Sequence, residues 1–193
     1  MRVAAAGNLF DLSGKVALLT GATRGIGRAM AEAMAAHGAA VVISSEVSEE
    51  CAAVAAELRT AGHRAAGIAC DVSSRTQLQQ LVTQTTQQLG RIDILACNAG
   101  VAPHAGPIAS ATDAEWDLTM TVNLRSVLWL TSLVIPGMAE RGEPTVGVLH
   151  PGEAAEPTAR DVLEEDPFHR VLRAEGEDLV DVRHGQHAFM VTH

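Results

Sequence analysis

At 193 residues, with 47% hydrophobic and 19% charged side chains, the chain has the size and apolar content of one packed domain, which excludes a disordered polymer. A formal charge of −9 argues against a nucleic-acid-binding surface. Three cysteines, Cys51, Cys70 and Cys97, none in a CxxC pair, speak for a reducing compartment; no unbroken run of roughly 18 apolar residues suggests a membrane span, and the opening MRVAAAGNLF is too short for a secretory signal, so the cytoplasm is expected.

The first predicted element is a buried strand, Val16-Ala17-Leu18-Leu19, which runs into a turn carrying Gly21, Gly25 and Gly27. An alanine-rich helix follows over Ile26–Ala36 and closes at His37-Gly38. Strand, glycine turn and helix N-terminus in that order suit a dinucleotide pyrophosphate, because glycines admit close backbone approach and the helix dipole favours negative charge. Ala40–Ser44 is a second buried strand and Glu49–Ala61 a helix stopped by Gly62. Ala65–Cys70 is a third strand, leading through Asp71-Val72 to a helix over Arg75–Leu89 that Ser73 or Ser74 can cap and Gly90 ends. Ile92–Ala96 is a fourth strand, followed by the turn Asn98-Ala99-Gly100 and a loop to about Ser110. A capping box, Thr112-x-x-Glu115, opens one long apolar helix reaching Glu140, and Thr145–Leu149 is a fifth strand. Alternating strands and helices, with continuous β-branched strands, predict a doubly wound parallel sheet, order 3-2-1-4-5, with helices on both faces. Such folds bind ligands at the carboxyl edge of the sheet, where the glycine turn lies.

Beyond Gly142 the character changes. From Glu143 onward there are 11 acidic residues against 4 arginines. Residues 10–150 are therefore expected to form the Rossmann-like domain and 151–193 an acidic tail, with weak helical patterns over Pro157–Glu165 and Phe168–Ala174 and short strand patterns over Leu179–Arg183 and Ala188–Val191.

Four motifs, in order and at matching spacings, make residues 10–142 resemble a classical short-chain dehydrogenase/reductase. They are Thr20-Gly21-Ala22-Thr23-Arg24-Gly25-Ile26-Gly27 (the family's TGxxxGxG), Asp71-Val72, Cys97-Asn98-Ala99-Gly100 (the family's NNAG) and Asn123 within TVNLRS. The resemblance implies an NAD(P)-binding fold and hydride transfer between a nicotinamide cofactor and a carbonyl or alcohol. It places Gly21, Gly25 and Gly27 along the pyrophosphate and Ile26 over the cofactor. It further implies that Asp71 accepts from the adenine amino group with Val72 beside the ring, that Asn98, Ala99 and Gly100 pass near the adenosine ribose, and that the Asn123 backbone holds a water of the proton relay. Asp71 could equally be a helix-leading turn residue and Asn123 an interior helix asparagine. Arg24 resembles the basic residue that meets a 2′-phosphate in NADP-preferring members. At the end of the second strand Ser45-Glu46 occupies the selectivity positions, and a carboxylate at Glu46 would repel that phosphate. With serine at position 45, NADP(H) is slightly favoured over NAD(H).

The family's acid/base chemistry lies in a Tyr-x-x-x-Lys pair after the fifth strand, where lysine draws the tyrosine pKa towards neutrality. This sequence has no tyrosine, and its one lysine is Lys15, at the start of the first strand. The expected serine position falls near His150-Pro151-Gly152, and the sixth and seventh strands are not recognisable. The expected function is thus an NAD(P)-binding homologue, truncated or diverged, with impaired hydride transfer. The alternative is a non-enzymatic partner of a full-length reductase; a frameshifted or prematurely ended tail is a further reading. His150 is the best-placed substitute acid/base among the tail's histidines His150, His169, His184, His187 and His193, but lacks a supporting partner. His184-x-x-His187 lacks the further ligands of a metal site, Cys97 reads as a buried small residue, and Asp161, Glu164, Glu165 and Asp166 read as a solvated acidic face. A fifth strand without its neighbour would be an open edge, and the helix over residues 113–140, which builds the dimer interface in the family, would carry apolar surface for a homo- or hetero-oligomer.

Overall fold

A computed structural model describes residues 10–141 and, for the backbone alone, 145–148. Five parallel strands, β1 (Val16–Thr20), β2 (Ala40–Ser44), β3 (Ala65–Gly67), β4 (Ile94–Cys97) and β5 (Thr145–Val148), form one sheet in the order β3-β2-β1-β4-β5. β1 is central, pairing Val16–Thr20 with Ala40–Ser44 on one side and Ala17–Leu19 with Ile94–Ala96 on the other. The tail patterns, and with them His150 and every residue beyond it, lie outside the described residues.

Side-chain alternation along the strands divides the core into two layers. Ala17, Leu19, Val41 and Ile43 pack against Ala31 and Ala35 of α1 (Gly25–Ala36) and Val54, Ala55 and Leu58 of α2 (Ser48–Thr60). Leu18, Val42 and Leu95 face the other way, against Leu78 and Leu81 of α3 (Arg75–Leu89) and Leu130, Val134 and Met138 of α5 (Ser126–Ala139). Both sheet faces are thus covered, which is why the strands read as unbroken apolar runs.

The structure departs from the sequence reading in several places. β3 ends at Gly67 rather than Cys70. A Cβ at Gly67 would stand 2.3 Å from the Cys51 carbonyl oxygen, so α2 presses on the chain there. Beyond it only single bonds follow β2, Ile68 N to the Ile43 carbonyl and Cys70 N to the Ser45 carbonyl. β4 starts at Ile94 rather than Ile92, because the buried Asp93 puts a carboxylate into the ladder: its Oδ2 accepts from Val16 N at 2.8 Å. Arg91 pairs with that carboxylate, and Arg141 reaches back from the end of α5 to the Ile92 carbonyl at 2.5 Å. Ser74, not Ser73, caps α3, its Oγ accepting from Gln77 N.

The largest departure is in the long helix. It is three segments: α4 (Asp113–Met120), a π-turn over Thr121–Arg125, and α5. In the π-turn the Ser126 N–H reaches five residues back to the Thr121 carbonyl. The capping box at Thr112 and Glu115 forms as expected, with Thr112 N donating to Glu115 Oε2 at 2.7 Å and Glu115 N to Thr112 Oγ1 at 3.3 Å. Taken together, Asp113–Ala139 is also long and apolar enough to cross a membrane, with a mean hydropathy of 1.4 over its most apolar stretch. A search for an unbroken apolar run misses this because threonines, Asn123 and Arg125 interrupt the pattern. One face of its C-terminal half nevertheless packs on the sheet.

Candidate dinucleotide site

Thr20, the last residue of β1, builds the first half of the site. Its hydroxyl oxygen accepts from Asn98 N at 3.1 Å and Ala99 N at 3.2 Å, so the turns after β1 and β4 are fastened side by side. The Asn98 side chain completes the join, Nδ2 donating to the Gly21 carbonyl at 3.0 Å and the Thr20 carbonyl at 3.3 Å. Glycine is required here by packing: a Cβ on Gly27 would lie 2.2 Å from the Gly21 carbonyl oxygen and 2.5 Å from Asn98 Nδ2. Gly21, at φ +62°, would press a Cβ to 2.8 Å from the Ala99 Cα.

Gly25 is different. It sits at φ +56° with nothing within 4 Å of the position its Cβ would take. Beside it Ile26 is 65% exposed, an apolar side chain left on the surface at a helix start. Arg24 occupies the N-cap position of α1 and supplies no side-chain hydrogen bond, so the first N–H groups of the helix are not capped by it. A left-handed glycine, uncapped helix donors and an exposed isoleucine form a cradle that fits an anionic group carrying a flat apolar ring system. A nicotinamide dinucleotide meets that description, and Gly21, Gly25, Ile26 and Gly27 would hold it there.

The neighbouring positions fall around the same edge of the sheet. Thr23 is buried and donates to Glu50 Oε2 at 2.9 Å, linking the glycine turn to the first turn of α2. Ser45 is tied through Cys51: Ser45 N approaches the sulfur at 3.1 Å, and Val47 N donates to Ser45 Oγ at 3.3 Å. Glu46 is exposed. Asp71 Oδ1 accepts from both Ser73 N (2.9 Å) and Ser73 Oγ (2.7 Å), which makes it a turn residue ahead of α3 and leaves Oδ2 for another donor. Val72 is buried in the core, so its side chain serves packing. Gly100 is exposed beside the half-buried Ala99.

Asn123 lies in the π-turn and spends its whole side chain on the loop after β4. Oδ1 accepts from Val101 N and Nδ2 donates to the Val101 carbonyl, each at 2.8 Å. Its side chain therefore serves to fix that loop to the π-turn. Further along that loop, His104 Nδ1 lies 3.4 Å from Glu115 Oε1 and Nε2 lies 3.1 Å from the Pro107 carbonyl oxygen. Burial pushes the Cys97 thiol up to about 12, and burial with the nearby Asp71 charge does the same for Cys70, so neither is a nucleophile at neutral pH. Lys15 stands at the amino end of β1, the full length of the strand away from the turn after Thr20. Among the described residues no group of three metal-ligating side chains occurs.

Sequence reasoning did not find Glu50, Asp93 or the His104–Glu115 contact. Glu50 gave no signal because its partner is 27 positions away, whereas Asp93 had a legible one: a charged residue at the opening of an otherwise apolar strand.

The fold and the glycine cradle at its carboxyl edge define a Rossmann-like protein of the dinucleotide-binding kind. The model of the short chain dehydrogenase family matches residues 15–147, and the chain belongs to that family. It is 37% identical over 146 residues to dehydrogenase/reductase SDR family member 4 of Sus scrofa, covering 72% of this chain and 52% of that protein. It is 38% identical over 130 residues to the human mitochondrial SDR family member 2, with 67% and 46% covered. The chain thus spans about half the length of the curated relatives it matches. Among solved structures, a metagenomic short-chain oxidoreductase in complex with NADP superposes with a TM-score of 0.71 at 35% identity, covering 77% of this chain and 67% of the other. A 7α-hydroxysteroid dehydrogenase complexed with NADH and 7-oxo glycochenodeoxycholic acid gives 0.69 at 31%, with 72% and 54% covered.

Proposed function

We propose that this chain binds a nicotinamide dinucleotide at the glycine cradle and lacks the proton-transfer half of the family's hydride-transfer chemistry. The observation that carries the binding is the geometry at Gly25 and Ile26: a left-handed backbone open to solvent at an uncapped helix start, beside an exposed apolar side chain. On the dinucleotide, Arg24 and Ser45 favour a 2′-phosphate and Glu46 disfavours one. What supports the loss of turnover is composition together with position. The 193 residues hold no tyrosine, and Lys15 is fixed at the wrong end of β1 to assist one. The substrate, where one is accepted, would be a small carbonyl or alcohol. Three buried free thiols suit a reducing compartment such as the cytoplasm.

Titration of NADH and NADPH, read by energy transfer from Trp116 and Trp129, is expected to give saturable binding, with no oxidation of the reduced cofactor by carbonyl compounds. Turnover that disappears in Asn123→Ala would overturn the catalytic part; absence of binding by either dinucleotide would overturn the whole.

A second reading, a non-enzymatic partner of a full-length reductase, is favoured by the exposed Trp116 and Met120 of α4, Leu124 of the π-turn, and Leu128 and Ile135 of α5. Co-purification with such a reductase, abolished by Leu128→Glu, would support it.

A further inference from the structure

The corner where the glycine turn meets α2 carries an unbalanced charge. Between Thr23 and Cys51, Arg24 is opposed by Glu46, Glu49 and Glu50 around the β2–α2 junction. Arg28, the nearest further cation on α1, is turned away to Glu32 at 2.8 Å and Glu57 at 2.5 Å. Of the three carboxylates, Glu46 and Glu49 are exposed and therefore well screened. Glu50 is half-buried, and the buried Thr23 hydroxyl holds its Oε2 at 2.9 Å. That hydroxyl lies inside the glycine turn itself, so a full negative charge is pinned to the loop that would carry the dinucleotide.

NADP(H) differs from NAD(H) by a 2′-phosphate, which near neutral pH brings about −1.5 to −2 of charge and several strong acceptors with no donors. The bond at Thr23 acts on it twice. It places a carboxylate beside the turn with little solvent between, and it commits the hydroxyl proton of Thr23 to Glu50, removing a donor that a phosphate oxygen could use. A ribose 2′-hydroxyl has the opposite needs, since a carboxylate accepts from it. We propose that Glu50, held by Thr23, is the residue that turns this site against the 2′-phosphate, so that the chain binds NAD(H) in preference to NADP(H). The inference rests on the dinucleotide-binding reading above, and it sets the Glu50 charge above the opposite indications of Arg24 and Ser45.

Glu50→Gln tests it, because the amide oxygen keeps an acceptor for Thr23 while the charge is lost. Dissociation constants for NADH and NADPH are measured by equilibrium titration on the full chain, with no catalysis required. The wild-type protein binds NADH more tightly, and the substitution lowers the ratio of the NADPH to the NADH constant by roughly fivefold to tenfold, the effect of one nearby charge. The wild-type ratio alone provides a second readout free of any folding defect: it falls as salt is raised from about 0.02 to about 0.5 M, because charge repulsion is screened. Tighter wild-type binding of NADPH, or a ratio that Glu50→Gln leaves unmoved, overturns the role of Glu50 while leaving dinucleotide binding intact. Failure of both dinucleotides to bind overturns both readings.

Discussion

Asn123 closes both ends of its carboxamide on one residue: Val101 N donates to Oδ1 and Nδ2 donates to the Val101 carbonyl, both at 2.8 Å. A loop with no strand or helix of its own between Cys97 and Ile108 is thereby fixed to the π-turn. Asn123→Ala removes both bonds and is expected to cost about 1–2 kcal/mol, since each such bond is worth roughly 1 kcal/mol net. Hydrogen exchange would show the Val101 amide losing protection while the amides of β1 and β2 keep theirs.

The glycines of the turn should respond differently to alanine. Gly27→Ala forces a methyl group to within 2.2 Å of the Gly21 carbonyl, and about 1–3 kcal/mol of stability should be lost in urea denaturation. Gly25→Ala meets nothing and costs only the left-handed backbone penalty of about 1–2 kcal/mol. In that variant the protein should stay folded and dinucleotide affinity should fall, because the new side chain stands in the cradle.

How much of this was legible beforehand depended on whether the cause was local. β1 and β2 matched within a residue because their apolar runs are bounded by Gly21 and Gly38, and the Thr112–Glu115 cap was readable because both partners lie within one turn. The π-turn was not, because Thr121–Arg125 continues the helix-forming pattern on both sides, and the bond that ties it to the loop, Asn123 to Val101, crosses 22 positions. The placement of Gly21, Gly25 and Gly27 in the turn between β1 and α1 was readable from the strand–turn–helix order, whereas the Thr23–Glu50 bond beside them was not, since neither residue is unusual where it stands.

Acid should loosen the start of α4. Glu115 is held below the ordinary carboxylate range, first by the Thr112 N–H, then by the Thr112 hydroxyl, with His104 adding less. Its contribution is therefore present above the unfolded carboxylate pKa of about 4.3 and is lost as pH falls through the lower folded value. Exchange of the Thr112 amide, followed downward from about pH 5, should accelerate in the native protein. In Glu115→Gln the acid-dependent step should be absent.

Asp93→Ala leaves the Val16 N–H without its carboxylate acceptor and removes the ion pair with Arg91, in a site where Asp93 is only 4% exposed. A loss of about 2–4 kcal/mol is expected. Asp93→Asn, which keeps an acceptor for Val16, should lose less in the same denaturation experiment.

The thiols of Cys70 and Cys97, both pushed up to about 12, should resist alkylation at neutral pH for as long as the protein is folded. Adding urea past the unfolding midpoint should release both at once. Modification before unfolding would mean that the carboxyl edge of the sheet opens on its own.

The π-turn also works as a phase adjuster between two helices. One residue advances an α-helix by about 100°, so the added residue rotates everything after it by that angle relative to α4. α4 has no buried side chain, whereas α5 sets Ser126, Leu130, Val134 and Met138 in line on the sheet. Excision of a single codon between Thr121 and Arg125 would leave composition and hydropathy almost untouched. It would nevertheless swing that row of side chains a quarter-turn off the strands, so the phase of this helix, more than its apolarity, decides whether this layer of the core closes.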